Sequence, residues 1–141
     1  MDEGMIHKLR EIVLMLNLER DIRFDSTSLV QLSYVYNGMG PDSWEPHQRK
    51  ALSKVFRKIL PAVLVHDWDF AMLERTDDNF HLANDRLENN ANAIILGMYG
   101  SWYYWFHRRY YLNAIPVIAM ACRSFKGKEA WDNGQAIITK G

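Results

Sequence analysis

The sequence predicts an all-α single domain, and three observations support this prediction. Apolar residues recur at helical spacing in several separate stretches of the chain. The length of 141 residues is enough for one hydrophobic core and too short for two. No repeat, low-complexity stretch or linker divides the sequence, so we expect one domain over residues 1–141. Cys122 is the only cysteine, which excludes an intrachain disulfide, so the core must hold the fold by itself.

The first half of the chain is predicted to contain a helix, a loop and a second helix. Apolar residues within the amphipathic segment 1–20 recur three and four apart, which predicts a helix over residues 5–19. Its charged residues are unlike the uninterrupted apolar region of a signal peptide, so we expect a cytoplasmic or virion-associated protein. The glycine and proline content of residues 36–43 predicts a loop, after which Ser43 is expected to cap a helix that includes residues 47–60.

Three more helices are expected in the second half of the chain, over residues 62–74, 77–98 and 111–125. Pro61 suits the first turn of the first of these helices, and Thr76 precedes the second as its cap. We expect these two helices to pack antiparallel. Arg108 and Arg109 are interpreted as a polar corner before the third helix, in which Pro116 is expected to introduce a kink.

His66 and Asp67 are the residues most suited to chemistry. His66 shares its helical stripe with wholly apolar neighbours, so burial should tune its pKa. Asp67 points about 100° further round the helix and can address a different partner. An ionised Asp67 needs a counter-charge, and the glycine loop that begins at Tyr36 offers backbone carbonyls that a hard cation such as calcium accepts. Either feature taken alone also fits a structural role, as a core histidine or a turn.

Taken together and in this order, the two motifs resemble a known family. Residues 36–40 read Y-N-G-M-G, which is similar to the Y-x-G-x-G calcium loop of secreted phospholipases A2. Residues 66–70 read H-D-W-D-F, which is similar to the H-D-x-x-Y helix of those enzymes. The disulfide-free version in parvovirus capsid proteins is a nearer analogue. Nearer still is a set of phage and prophage proteins that share an N-G-x-G-P loop, an H-D-W helix, a later A-D-x-x-F-x-x-N motif and a G-x-x-A-W tail.

The resemblance implies a phospholipase A2-like core and a calcium-dependent hydrolase that acts on phospholipid. The implied calcium ligands are the Asp67 carboxylate and the carbonyls of three loop residues, Tyr36, Gly38 and Gly40. His66 is the implied general base, which takes a proton from the water that attacks the sn-2 ester. The family also places an aspartate on the next long helix, where it holds the far nitrogen of this histidine.

This chain departs from the family pattern at two positions. An ungapped alignment puts Asn84 where the family has its aspartate, and Asp85 follows one residue late. Asn84 lies about 40° from the centre of the apolar stripe and Asp85 about 140° away, so both are kept as candidate catalytic partners of His66. Phe70 replaces the family's tyrosine. Both departures weaken the pair, so the alternative function is a catalytically inactive phage structural or host-interaction protein that retains the fold.

Residues 99–111 are the most aromatic segment, with nine aromatic residues of thirteen when His107 is included. One interpretation is a core with a rim of snorkelling side chains. The other is an interface with a membrane surface or a phage or host protein, formed by Trp102, Trp105, Arg108 and Arg109. Basic and acidic residues number 17 each, so no overall field attracts nucleic acid, which we do not expect as a partner. The least charged run, residues 90–106, is shorter than the about 20 apolar residues of a membrane span and is interpreted as a buried helix that touches an interface.

Overall fold

The computed structural model describes residues 2–36 and 53–133, and within these ranges all regular structure is helical. The helices are α1 (Glu3–Met15), α2 (Ile22–Ser26), α3 (Leu29–Val35), α4 (53–58), α5 (Leu60–Met72), α6 (Asp77–Met98), α7 (Trp105–Arg123) and α8 (Phe125–Asn133). A short 3-10 turn, Trp102–Tyr104, precedes α7. The prediction of an all-α fold is therefore confirmed for the part of the chain that the structure describes.

Side-chain caps define where several of these helices begin. Asp2, Asp21 and Ser28 each accept a hydrogen bond from a backbone N–H in the first turn of α1, α2 and α3. The Thr76 hydroxyl accepts from the Asn79 N–H at 3.1 Å, and α6 then runs over the predicted residues 77–98. The predicted cap and bounds of this long helix are confirmed.

Helix α5 is the centre of the fold. Nine of its thirteen residues are buried, because α1, α3 and α6 all pack against it. Only residues 73–76 join α5 to α6, and contacts such as Phe70 to Phe80 (ring centroids 6.2 Å apart) show that the two helices run antiparallel. Helix α7 returns along α6, since Tyr111 lies beside Tyr99 at one end and Arg123 pairs with Asp85 at the other.

Several expected boundaries differ from the observed ones. Helix α1 ends at Met15 rather than at residue 19, and Asn17 beyond it has a left-handed backbone (φ 50°) that a helix cannot continue through. The polar corner predicted at Arg108 and Arg109 is wrong. Both residues lie inside α7, and the chain turns earlier, at residues 99–104. Helix α8, over Phe125–Asn133, is not among the helices predicted from the sequence.

The turn between α6 and α7 also separates the apolar run at 90–106 into two helices. Gly100 lies at this turn, where a Cβ atom would come within 2.8 Å of the Leu96 carbonyl oxygen, so a larger residue would force the backbone to shift. Among the helices of residues 2–36 and 53–133, none has the length and apolarity needed to cross a membrane.

Candidate functional site

His66 lies on the face of α5 that packs against α6, and it is 8% exposed. Its Nε2 atom is 2.9 Å from the Oδ1 atom of Asn84, which is fully buried on α6. Antiparallel packing of α5 and α6 places these two side chains at the same level. The Phe70 ring, one turn later on α5, lies 4.3 Å from the imidazole (centroid to centroid). Phe70 has no hydroxyl group, so it adds no hydrogen bond to the pair.

The surroundings of Asn84 determine how the pair is protonated. The Nδ2 atom of Asn84 donates to the Cys122 carbonyl on α7 at 3.5 Å, which leaves Oδ1 facing His66. Because Oδ1 can only accept, the imidazole must donate from Nε2, and Nδ1 is then the unprotonated nitrogen. We infer from this orientation of Asn84 that neutral His66 carries its proton on Nε2, which leaves Nδ1 as the atom that can accept a proton.

Burial lowers the pKa of His66 from 6.5 to about 4, and the hydrogen bond with Asn84 only partly opposes this effect. The imidazole is therefore neutral at pH 7. A buried histidine beside a carboxylate would behave differently, because a negative partner favours the imidazolium ion. The amide of Asn84 orients the ring and gives its charged form less stabilisation than a carboxylate would.

Asp67, the next residue of α5, is partly exposed. Burial and, to a smaller extent, the charge of Asp67 raise the pKa of the Tyr36 hydroxyl to about 12. The same charge adds to the effect of burial on Cys122, whose thiol has its pKa raised to about 12. Tyr36 and Asp67 are two of the four residues implied as calcium ligands, but the implied ligand atom of Tyr36 is its backbone carbonyl oxygen and not its hydroxyl. The other two, Gly38 and Gly40, lie outside the described residues.

Among the residues that the structure describes, no group of three or more His, Cys, Asp or Glu side chains is placed to hold a metal ion. The calcium site implied by the resemblance is of another kind, with one carboxylate and three backbone carbonyls. The Asp67 carboxylate is partly exposed, and carboxylates and backbone carbonyls are the oxygen donors that calcium takes.

Asp85, the second candidate partner of His66, does not contact it. Its side chain is 61% exposed and pairs with Arg123 at 2.8 Å. The reason is helical geometry, because one residue step turns the side chain about 100° from the buried face of α6 to the solvated face. The suggestion that Asp85 is the partner of His66 is corrected by the structure, which places Asn84 there.

Sequence reasoning missed a buried ion pair close to His66. Asp69, one helical turn further along α5, is fully buried, and its Oδ1 atom accepts from Arg86 of α6 at 3.0 Å. Its Oδ2 atom has no hydrogen-bond partner among the described residues. Burial raises the pKa of the Asp69 carboxyl to about 7, against the opposing effect of Arg86. The available signal was an aspartate three residues after His66 inside a mostly apolar helix, which puts both on one face.

The aromatic residues singled out in the sequence lie at the turn between α6 and α7. Trp102 is 84% exposed and Trp105 45% exposed. Arg108 donates to the carbonyls of Tyr99 and Gly100, and the Arg109 guanidinium lies 5.4 Å from the centre of the Trp105 ring. Of the two interpretations, the core with a rim does not describe these exposed side chains, which no helix among residues 2–36 and 53–133 covers.

Comparisons with protein-family models, with curated proteins and with solved structures find no match to this chain.

Proposed function

We propose that the protein is a calcium-dependent, phospholipase A2-like ester hydrolase that acts on phospholipid, with His66 as its general base. The observation that carries this proposal is the pair formed by His66 and Asn84, with 2.9 Å between Nε2 and Oδ1. A general base needs an unprotonated nitrogen in a fixed orientation. The hydrogen bond supplies this orientation, because Nε2 donates to Asn84 and Nδ1 is left as the acceptor.

A second support is the arrangement of the two motifs around this pair. Asp67 follows His66 directly, and its charge raises the pKa of the hydroxyl of Tyr36, the residue at which the glycine loop begins in the sequence. Helices α5 and α6 form an antiparallel pair, with the histidine on one helix and its partner on the other, which is the arrangement that the resemblance implies. Asp67 and the loop carbonyls would hold calcium, whose chemistry when bound is polarisation of the ester carbonyl.

In the reaction, Nδ1 of His66 takes a proton from water while the water oxygen attacks the ester carbonyl. The imidazolium that forms keeps its Nε2–H bond to Asn84. Proton return to the departing alcohol oxygen completes hydrolysis and restores neutral His66. Since the pKa of His66 is lowered to about 4, proton transfer to it has a weaker driving force than in an enzyme with a neutral-pH base. We therefore expect slow turnover.

The test is fatty-acid release from ester phospholipid vesicles, with calcium and with a chelator, for the native chain and for His66→Gln. We expect calcium-dependent release that falls by about 10²–10⁴-fold in the variant, the usual contribution of a general base. Release that is absent, or that is the same in both proteins, contradicts the proposal.

Asn84→Asp sharpens this test, because a carboxylate at that position favours the imidazolium. We expect the pKa of His66, followed by NMR titration, to rise by about 1–3 units and the rate of ester hydrolysis to rise with it. Asn90→Asp is the matched control. Asn90 is also buried on α6, but it bonds to the backbone of Glu19 rather than to His66. It should leave the pKa of His66 unchanged.

The second candidate function is an inactive phage structural or host-interaction protein that keeps the fold. The specific observation in its favour is that His66 has an uncharged partner and a lowered pKa, as a purely structural core histidine does. This function predicts no fatty-acid release from the native chain, and none from Asn84→Asp.

A further inference from the structure

The turn between α6 and α7 exposes five large aromatic side chains at one end of the molecule. We call this surface the aromatic tip, and its residues are Trp102, Tyr103, Trp105, Phe106 and Tyr110. Trp102 is 84% exposed, Phe106 78% and Tyr103 63%. Scattered apolar residues are normal on protein surfaces, but a contiguous aromatic group at a turn marks a contact site.

The aromatic tip is held in place before it meets a partner. Arg108 donates to the carbonyls of Tyr99 and Gly100 and so ties the first turn of α7 to the end of α6. Behind the tip, the Tyr99 ring stacks on Tyr111 with 5.2 Å between centroids. Binding would therefore order few additional groups, which reduces its entropic penalty.

The stretch of chain that carries the aromatic tip has charged residues of one sign only. Residues 89–128 contain five Arg or Lys residues and no Asp or Glu, although the whole chain is neutral. Two of the five, Arg123 and Lys128, pair with carboxylates away from the tip. Arg108 and Arg109 lie at the tip, and neither forms an ion pair with a carboxylate in residues 2–36 or 53–133.

We propose that the aromatic tip docks this protein on an anionic lipid bilayer, with Trp102 and Phe106 in the headgroup region and Arg108 and Arg109 beside lipid phosphates. Trp and Tyr favour this region because their rings are apolar and their N–H and O–H groups can remain hydrated. A basic group gains further attraction from an anionic surface. The described helices include no membrane span, so the contact is peripheral.

This proposal does not rest on the hydrolase. Met98, at the end of α6, comes fourteen residues after Asn84, a rise of about 21 Å along the helix, and the aromatic tip lies beyond it. The tip would hold the protein on a membrane whether or not His66 is catalytic. Binding and hydrolysis can therefore be measured separately.

The experiment is sedimentation with vesicles of ether-linked lipid, which have no ester to hydrolyse, in the presence of a chelator. One vesicle population is phosphatidylcholine alone, and the other contains about one quarter phosphatidylglycerol. We expect at least tenfold tighter binding to the anionic vesicles, since each basic residue near an anionic surface contributes about fivefold. This preference should diminish as the salt concentration rises. Equal binding to both populations, or no binding, overturns the proposal.

Variants then locate the contact. Trp102→Ala/Phe106→Ala should weaken anionic vesicle binding by at least tenfold, and Arg108→Gln/Arg109→Gln should remove most of the lipid preference. The matched control is Ile22→Ala/Tyr34→Ala, because those side chains are 84% and 76% exposed but lie on α2 and α3. Unchanged binding in the tip variants, or equal loss in the control, overturns the proposal.

A fluorescence measurement on a chain with an intact aromatic tip tests the contact without the risk that a tip variant misfolds. Trp68 and Trp131 are fully buried, whereas Trp102 and Trp105 are exposed. In a Trp44→Phe chain, which removes the tryptophan outside the described residues, brominated anionic lipid should quench the exposed pair. No quenching overturns the proposal. The proposal is also overturned if the protein forms a dimer in solution through the aromatic tip and does not bind vesicles. In that case the tip is a contact between two copies of the chain.

Discussion

The interface between α5 and α6 contains two buried polar pairs, of which one is neutral and the other is ionic. His66 and Asn84 form a neutral pair, and the imidazole stays uncharged because burial lowers its pKa to about 4. One turn away, Asp69 and Arg86 form an ionic pair, and burial raises the pKa of the carboxyl to about 7 even though Arg86 opposes it. Both groups are thus shifted toward their neutral forms by the same cause, although only one has a charged partner.

The difference indicates which pair is suited to chemistry. The Asp69–Arg86 pair fixes α6 against α5, because a buried carboxylate that loses its cation is strongly destabilising. The His66–Asn84 pair contributes orientation without charge, and it leaves Nδ1 as a proton acceptor. A neutral, oriented histidine next to an anchored ionic pair is compatible with a catalytic role, and the two pairs can be separated by experiment.

The largest expected effect is the loss of the cation from the ionic pair. Arg86→Leu leaves Asp69 buried without its partner, and we expect the free energy of unfolding at pH 8 to fall by about 3–5 kcal/mol. The loss should be smaller at pH 5, where Asp69 is protonated and needs no counter-charge. Denaturant unfolding at the two pH values measures both quantities.

The control for Arg86→Leu is the double variant Asp69→Leu/Arg86→Leu, which removes both charges together. Replacing a buried ion pair by apolar residues is often nearly neutral, so most of the lost stability should return. If Arg86→Leu alone lowers the free energy of unfolding by less than about 1 kcal/mol, the ionic pair does not anchor α6.

A smaller effect, with opposite signs for the two pairs, is expected in the pH dependence of stability. The folded pKa of Asp69 lies above its unfolded value of 3.8, so its contribution is present at low pH and is lost as pH rises toward about 7. The folded pKa of His66 lies below its unfolded value of 6.5, so its contribution is present above that value and is lost as pH falls toward about 4. Between these limits the two slopes largely cancel in the native chain.

Single variants should reveal what each group contributes to the pH dependence of the free energy of unfolding. We consider each variant relative to the native chain as the pH rises from about 4.5 to 6. The free energy of unfolding of His66→Gln should decrease by about 1 kcal/mol per pH unit. The free energy of unfolding of Asp69→Asn should increase by a similar amount. Comparing slopes removes any constant loss of stability in either variant. Parallel slopes in the native chain and both variants would disprove this assignment.

The sequence is sufficient to predict a helix that has a strong apolar stripe and a clear cap. Thr76 and the long stripe after it gave the bounds of α6, and the same stripe placed Asn84 on the buried face. The corner at Arg108 and Arg109 was misplaced because two charged residues were interpreted as a break, although long basic side chains are tolerated within an exposed helix. The turn depends instead on the close backbone approach at Gly100.

The ionic pair could not be predicted by the same reasoning. The sequence does not single out Asp69, because one acidic residue in an apolar helix does not reveal which cation faces it. Arg86 lies on the next helix, 17 residues later, and its contact with Asp69 depends on how α6 is rotated against α5. Helical periodicity gives the face of one helix, whereas the register between two helices is set by packing across the whole interface.

The smallest expected effect tests the rotation of α6 directly. Asp85→Asn removes an exposed ion pair with Arg123, so the free energy of unfolding should change by less than about 0.5 kcal/mol. The pKa of His66 should also stay the same, in contrast to its rise in Asn84→Asp. Denaturant unfolding and NMR titration of the His66 imidazole measure the two quantities. A shift in the pKa of His66 of more than about half a unit would place Asp85 within reach of the imidazole. The family's aspartate would then be present one residue late, and His66 would have the charged partner that Asn84 cannot supply.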